Sequence, residues 1–318
     1  MKPTEPNRIP ALAVLGPTAS GKSALGVWMA EQGMPIEIIS LDSALVFRDM
    51  NIGTAKPSAA ELAMVPHHLI DVISPSDTFS AADFLNHCTS LVQDIRSRGK
   101  VPVILGGTMM YFNALVAGMD NLPPADPQLR LTLEMEALAS GWPAMHRRLQ
   151  ALDPVTAQRL KPNDSQRIQR ALEVCLLTGQ PFSGFLQRDP QQRASLPILS
   201  IEPSDRAALH RRIEERFLTM LEDGLVEEVV ELKHRYVLSS NMPSMRCVGY
   251  RQVWEHLHGQ YDHGTMIQKG VAATRQLAKR QLTWLRSTPG KQVVDPLQPN
   301  WIQQVQPWLL QHIDQLKP

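Results

Sequence analysis

Gly16-Pro17-Thr18-Ala19-Ser20-Gly21-Lys22-Ser23 sets two glycines, a lysine and a hydroxyl at the spacing GxxxxGK[ST]. Small residues let successive backbone N–H groups turn inward around an anion, and a helix starting there adds its positive end. Lys22 supplies a point charge to the outer phosphates, and the Ser23 hydroxyl suits Mg²⁺. The run follows the apolar Ala11–Leu15 and precedes an apolar helical segment, the context a phosphate cradle needs. A nucleotide-hydrolysing site of this type adds an acid at the end of a further strand. The run Val101–Leu105 ends instead in Gly106-Gly107-Thr108, while an acid, Asp42, follows Ile38-Ile39-Ser40-Leu41. Carboxyl ends of strands form the ligand crevice of an open α/β sheet, so Asp42 and Thr108 should both overlook the cradle. Asp42 suits a general base, a metal ligand or a helix cap, and the residues alone leave these open.

The elements that must position these groups are legible as alternation. Short apolar runs at Ala11–Leu15, Ile36–Ser40, His68–Val72 and Val101–Leu105 read as strands. Lys22–Gln32 and Ala81–Arg98 read as helices, the second with Phe84, Leu85, Cys88, Leu91, Val92 and Ile95 on one stripe. Buried strands separated by helices imply a parallel sheet covered on both faces. Prolines 123, 124 and 127 mark a boundary, after which 128–190 turns helical. Pro197–Ile201 reads as a returning strand. One long helix is expected from a Ser204–Asp205 cap through Val229, another over Thr265–Arg286, and an amphipathic one around Trp301–Leu309. The fold class expected is α/β: a P-loop parallel-sheet core with helices on both faces and a helical insertion domain. The core would span 1–120 and 197–318, and the insertion 121–196.

The 318 residues, 43% hydrophobic and 20% charged, fit a folded chain of one large domain or two and argue against disorder. With 32 Lys and Arg against 31 Asp and Glu, the whole molecule is no basic glove for nucleic acid. Residues 240–291, however, carry eight basic and two acidic residues, the footprint expected where phosphates dock. Three scattered cysteines without a CxxC pair argue against a disulfide framework. MKPTEPNRIP has no signal-peptide core and no run approaches a membrane span, so the expectation is a cytoplasmic protein.

The chain resembles the bacterial tRNA dimethylallyltransferases. The matching pieces are GPTASGKS (16–23), LDSALVFRDMNIGTAKP (41–57), HHLIDVISP (67–75), FSAADF (79–84), GGTMMYF (106–112), PNDSQRIQRALEV (162–174), RCVGYRQVW (246–254) and TRQLAKRQLTWLR (274–286). They are collinear over most of residues 11–286. Phe47 and Asp49 depart from the Tyr and Gly the family often has. The resemblance implies transfer of a dimethylallyl group from dimethylallyl diphosphate to N6 of the adenosine 3′ of a tRNA anticodon, with Mg²⁺ as cofactor. Diphosphate would sit on Gly16, Thr18, Ala19, Ser20, Gly21, Lys22 and Ser23, with Ser23 on the metal. Asp42 would take the amine proton, Thr108 orient the diphosphate or bridging oxygen, and Arg216 clamp the diphosphate.

By the same resemblance the target base is flipped out of its loop, and Asp42, Ser43, Ala44, Leu45 and Thr108 receive it. Arg130, Gln166, Arg167, Ile168, Gln169 and Arg170 in the insertion would grip the anticodon stem-loop. Arg246, Cys247, Val248, Gly249, Tyr250 and Arg251 would do so from the core, with Lys279, Arg280 and Arg286 against phosphates. Tyr250 and Trp284 are read as packed rather than stacked on bases, and His67, His68, His256, His258 and His263 as non-ligands. A monomer is implied. Two rival readings keep the cradle: a kinase with the insertion as its lid, and a non-enzymatic RNA-binding switch that leaves Asp42 and Thr108 idle.

Overall fold

A computed structural model describes residues 8–186 and 193–318. The chain divides into two compact units, Met1–Val116 with Ala194–Pro318, and Ala117–Arg193. In chain order the elements up to the boundary are β1 (Leu12–Leu15), α1 (Lys22–Glu31), β2 (Ile36–Leu41), α2 (Ala59–Met64), β3 (His67–His68), α3 (Ala81–Ser97), β4 (Val101–Gly106) and α4 (Met109–Ala117). The smaller unit holds α5 (Pro127–Ser140), α6 (Trp142–Leu152), α7 (Pro154–Arg159) and α8 (Ser165–Thr178). There follow β5 (Ile198–Ile201), α9 (Arg206–Glu222), α10 (Leu225–Arg235), α11 (Tyr250–Leu257), α12 (His263–Arg286), β6 (Lys291–Val294) and α13 (Trp301–Leu316).

The six strands form one sheet in the order β3-β2-β4-β1-β5-β6, every pairing parallel. Side chains of a strand alternate between faces, and the two cores follow that alternation. Ala13, Leu15, Ile39, Leu41 and Ile104 pack with α3, α4, α9 and α12 on one face. Leu12, Val14, Ile38, Val103 and Leu199 pack with α1 and α13 on the other. The first strand–helix units are thus the expected ones, with Ser80 and Asp83 closing α3 in a reciprocal cap.

Three readings need correction. The strand expected over His68–Val72 is only His67–His68, because Leu69 and Asp71 take left-handed backbone (φ 63° and 55°) that no strand accommodates. The single long helix after Asp205 breaks at Gly224, whose φ of 99° ends α9 and starts α10 at a new angle. β6 was not anticipated: Gln292 and Val293 are exposed, as suits an edge strand too polar to announce itself. Within the smaller unit the helical reading stops at Thr178, where Gly179 adopts αL. Its residues 187–190, like residues 1–7, lie outside those described.

The smaller unit has its own core of Leu133, Leu149, Ile168, Leu172 and neighbours. Inside it Glu173, fully buried, accepts from both arms of Arg130 (2.9 and 3.0 Å), from Arg170 (2.5 Å) and from the Asp126 amide (2.8 Å). Those hydrogen bonds hold its carboxyl below the usual range although burial pushes the other way.

α12 crosses α9 at Gly270. A Cβ there would lie 2.1 Å from Phe217 Cζ, and Phe217 is itself buried. Alanine gains about 1 kcal/mol of helix propensity over glycine, whereas overpacking a filled core costs about 1–3 kcal/mol. Packing should win. Gly270→Ala is expected to lose about 1–2 kcal/mol in urea unfolding, with Phe217→Leu restoring part of it; unchanged or higher stability would contradict this packing.

Candidate active site

The carboxyl ends of β1, β2 and β4 open onto a cavity of about 820 Å³. Thr18 through Ser23, linking β1 to α1, line one end of it. The loop bends through Ala19 (φ 62°) and Gly21 (φ 93°). Gly16 does not reach the cavity. A Cβ there would stand 2.7 Å from Ser20 Oγ and 2.8 Å from the Ile201 carbonyl, so this position serves close packing. Lys22 donates from Nζ to the Pro17 carbonyl at 2.7 Å. Desolvation and, next, the Arg216 charge lower its pKa, with Asp42 opposing both, to about 8. A lysine so placed is short of an anion.

Across from the cradle, β2 and β4 end together. The Leu41 carbonyl accepts from the amides of both Gly107 and Thr108 at 3.1 Å. A Cβ on Gly106 would fall 2.2 Å from that oxygen, which is why a side chain is excluded there. Thr108 Oγ1 accepts from the Ser43 amide (3.1 Å) and donates to Ser43 Oγ (3.4 Å). Asp42 Oδ1 accepts from the amides of Ala44 (2.8 Å) and Leu45 (3.3 Å), an Asx-type turn. Its Oδ2 has no partner among the described residues and is the oxygen left for chemistry. Asp42, Ser43, Ala44, Leu45 and Thr108 all line the cavity.

α9 brings Arg216, whose guanidinium donates to Thr18 Oγ1. Burial works against its charge, as it does for Lys22. Phe217 and Met220 on the same helix, with Phe47, Phe79 and Met109, give the cavity an apolar wall. Arg246, Cys247, Val248 and Gly249, ahead of α11, line it too, with Arg280 and Trp284 of α12. Burial pushes the Cys247 thiol up to about 12, so it stays neutral and is no nucleophile.

The segment Asn51–Pro57 is held from behind. Glu228 on α10 accepts from the amides of Asn51 (2.9 Å), Ile52 (2.7 Å) and Gly53 (3.3 Å), and from the Tyr250 hydroxyl (2.5 Å). A Cβ on Gly53 would meet the Tyr250 ring at 2.5 Å, which accounts for the glycine in NIGTAKP. Tyr250 is therefore a buried anchor. As an RNA contact it is corrected, and so is Ile168, fully buried in the smaller unit's core. Trp284 is corrected the other way: it is 47% exposed and lines the cavity.

Arg251, Lys279, Arg280 and Arg286 are exposed, Arg251 beside Glu255 at 3.6 Å. In the smaller unit Arg167 is exposed beside Asp164, Gln166 is exposed, and Gln169 donates to the Arg130 carbonyl (3.1 Å) and Glu134 (3.2 Å). Gln281, Ser40 and His67 also line the cavity, although none stood out in the sequence. Gln281 and His67 lie inside segments that resemble the family, but neither carries a fixed charge that marks a site.

Among the described residues no group of three or more His, Cys, Asp or Glu could cage a metal ion. The hydroxyls of Ser20 and Ser40, both buried and both on the cavity, have no hydrogen-bond partner among the described residues. Hard hydroxyl oxygens of this kind fit Mg²⁺, which would be held largely by phosphate and water, with Ser23 the residue that could serve as protein ligand.

Residues 45–288 match the model of the IPP transferase family. A tRNA dimethylallyltransferase of Cupriavidus necator is 54% identical over 303 residues, covering 93% of this chain and 94% of the relative. One from an Azoarcus species is 57% identical over 281 residues, 87% of each. Among solved structures, a tRNA isopentenylpyrophosphate transferase of Bacillus halodurans shares 34% identity at a TM-score of 0.68, covering 96% and 97% of the two chains. A eukaryotic dimethylallyltransferase acting on tRNA, 24% identical, shares the fold at 0.80 over 97% of this chain and 80% of its own. By family model and by relatives matched nearly end to end, the chain belongs to the tRNA dimethylallyltransferases, the IPP transferase family.

Proposed function

We propose that this transferase moves the dimethylallyl group of dimethylallyl diphosphate onto N6 of the adenosine 3′ of a tRNA anticodon and releases diphosphate. The observation that carries this is one cavity holding a phosphate cradle, an apolar wall and a carboxylate with one unengaged oxygen. The cradle amides, Lys22 and Arg216 take the diphosphate, and the apolar wall takes the five-carbon tail. As the C1–O bond breaks, charge grows on the departing oxygens, where fixed cations act most strongly. Ser23 would help hold Mg²⁺, which would supply further neutralisation of the diphosphate when bound. The Thr108 hydroxyl exchanges Ser43 Oγ for the bridging oxygen and donates to it.

The N6–C1 bond forms as that bond breaks, and the displaced N6 proton passes to Asp42 Oδ2. An adenine stacked in its loop cannot reach this carboxylate, so the base leaves the stack. Arg246, Cys247, Val248, Gly249 and Arg251 meet the loop from the core, with Lys279, Arg280 and Arg286 on phosphates. Arg130, Gln166, Arg167, Gln169 and Arg170 hold the stem-loop from the insertion, Arg130 and Arg170 kept rigid by Glu173. The protein works as a monomer.

Incubation with radiolabelled dimethylallyl diphosphate and total tRNA, followed by nucleoside mass analysis, should give a prenylated adenosine; label that never enters RNA contradicts the function. Asp42→Asn is expected to cut transfer at least ~100-fold with tRNA affinity held within a few-fold; an active Asn variant removes Asp42 as the base.

Lys22 makes diphosphate binding pH-dependent. Its pKa of about 8 in the free protein rises again when an anion is bound. Below pH 7 the lysine is charged in both states and takes up no proton. Above pH 8 the free protein holds it neutral, so binding draws in a proton and affinity declines toward about tenfold per pH unit. Titration calorimetry in two buffers of different ionisation enthalpy reads that uptake directly. Flat affinity without uptake from pH 7 to about 9.5 contradicts the assignment.

A further inference from the structure

Gln281 lies on α12 immediately after Arg280, with its amide between the two loops that carry the site. Its Oε1 accepts from the Thr18 amide of the cradle at 2.8 Å. Its Nε2 donates to the Gly107 carbonyl, one residue before Thr108, at 3.0 Å. The amide can be oriented only this way, since Thr18 offers a donor and Gly107 an acceptor. Thr18 is held twice, because its hydroxyl also receives Arg216 from α9. A Cβ on Gly107 would stand 2.4 Å from Gln281 Nε2 and 2.9 Å from the Gly16 carbonyl. The second glycine of GGT is thus the space the glutamine amide occupies.

We infer that Gln281 is a positioning residue: its amide fixes the spacing between the diphosphate cradle and the Thr108 loop, and mounts both on the helix that carries Arg280. This rests on the function proposed above. Both ends of the amide are engaged by protein, so it acts through Thr18 and Gly107. A hydrophobic residue of the same length fills the space but leaves a part-buried donor and acceptor unmatched. A glutamate keeps the acceptor for Thr18 and, while ionised, sets an oxygen against the Gly107 carbonyl. Protonated, it can again donate there.

The test uses the full-length wild type, Gln281→Met and Gln281→Glu. It measures transfer kinetics with dimethylallyl diphosphate and tRNA, affinity for each substrate separately, and thermal melting. Gln281→Met is expected to lose about ten- to hundredfold in kcat/KM and about tenfold in dimethylallyl diphosphate affinity, with tRNA affinity within twofold and melting near wild type. Relative to wild type, Gln281→Glu should recover as the pH falls from 8 toward 5, where a glutamate with an ordinary pKa of about 4.3 begins to take up its proton, while Gln281→Met stays flat. Lys22, Asp42, His67, Arg216, Arg246 and Arg280, the charged and titratable groups that share the cavity with it, are common to all three proteins and cancel in the ratio. A Gln281→Met variant within twofold of wild type, a loss matched by equal loss of tRNA affinity, or a Glu variant whose deficit ignores pH would each overturn the positioning role. Wild type that binds dimethylallyl diphosphate but transfers nothing would instead overturn the proposed function, and the inference with it.

Discussion

The Leu41 carbonyl oxygen accepts two amides at once, from Gly107 and Thr108, and the rest of the site depends on that junction. It binds the ends of β2 and β4, and so decides how far Asp42 stands from Thr108. The approach is too close for any residue but glycine at 106. A parallel sheet supplies the setting, since only parallel neighbours bring the carboxyl ends of β1, β2 and β4 to one rim. The amides of the cradle, the carboxylate and the hydroxyl then face a single cavity without any long loop to place them.

Charge is distributed in that cavity according to the reaction. Lys22 and Arg216 are set among protein atoms that disfavour their charge, and in the proposed reaction an arriving diphosphate relieves both. Asp42 is the counterweight, its one oxygen consumed by the turn that orients it. No phosphoryl group changes hands in prenyl transfer, so the acid that nucleotide hydrolysis needs at the end of β4 is replaced by glycines and a threonine. The kinase reading falls with the family, and so does the reading of a non-enzymatic RNA-binding switch.

Much of this was legible in the residues, for stated reasons. GxxxxGKS declares itself because its small residues, lysine and serine at that spacing suit an anion, even though Gly16 turns out to serve packing, and Asp42 because a strand end is where an acid can work. What stayed hidden was carried by residues without a distinctive type. Gln281 is one uncharged residue in a helix, and only the fold reveals that Thr18 and Gly107 lie at either end of its amide. Ile168 and Tyr250 were assigned to RNA by their neighbours in sequence, yet helical geometry turns both inward. Phe217 and Met220 follow the same periodicity whether they face a core or a cavity wall, so spacing cannot separate the two. The break at Gly224 was equally silent, since glycine inside an apolar pattern is often tolerated.

A crystal structure of the protein with an anticodon stem-loop and diphosphate would be the most direct test of one shared cavity. Diphosphate should rest on the cradle beside Lys22 and Arg216, with the N6 of an unstacked adenine about 2.6–3.2 Å from Asp42 Oδ2. An adenine still stacked in its loop, or a diphosphate bound away from Lys22, would contradict the mechanism at its centre.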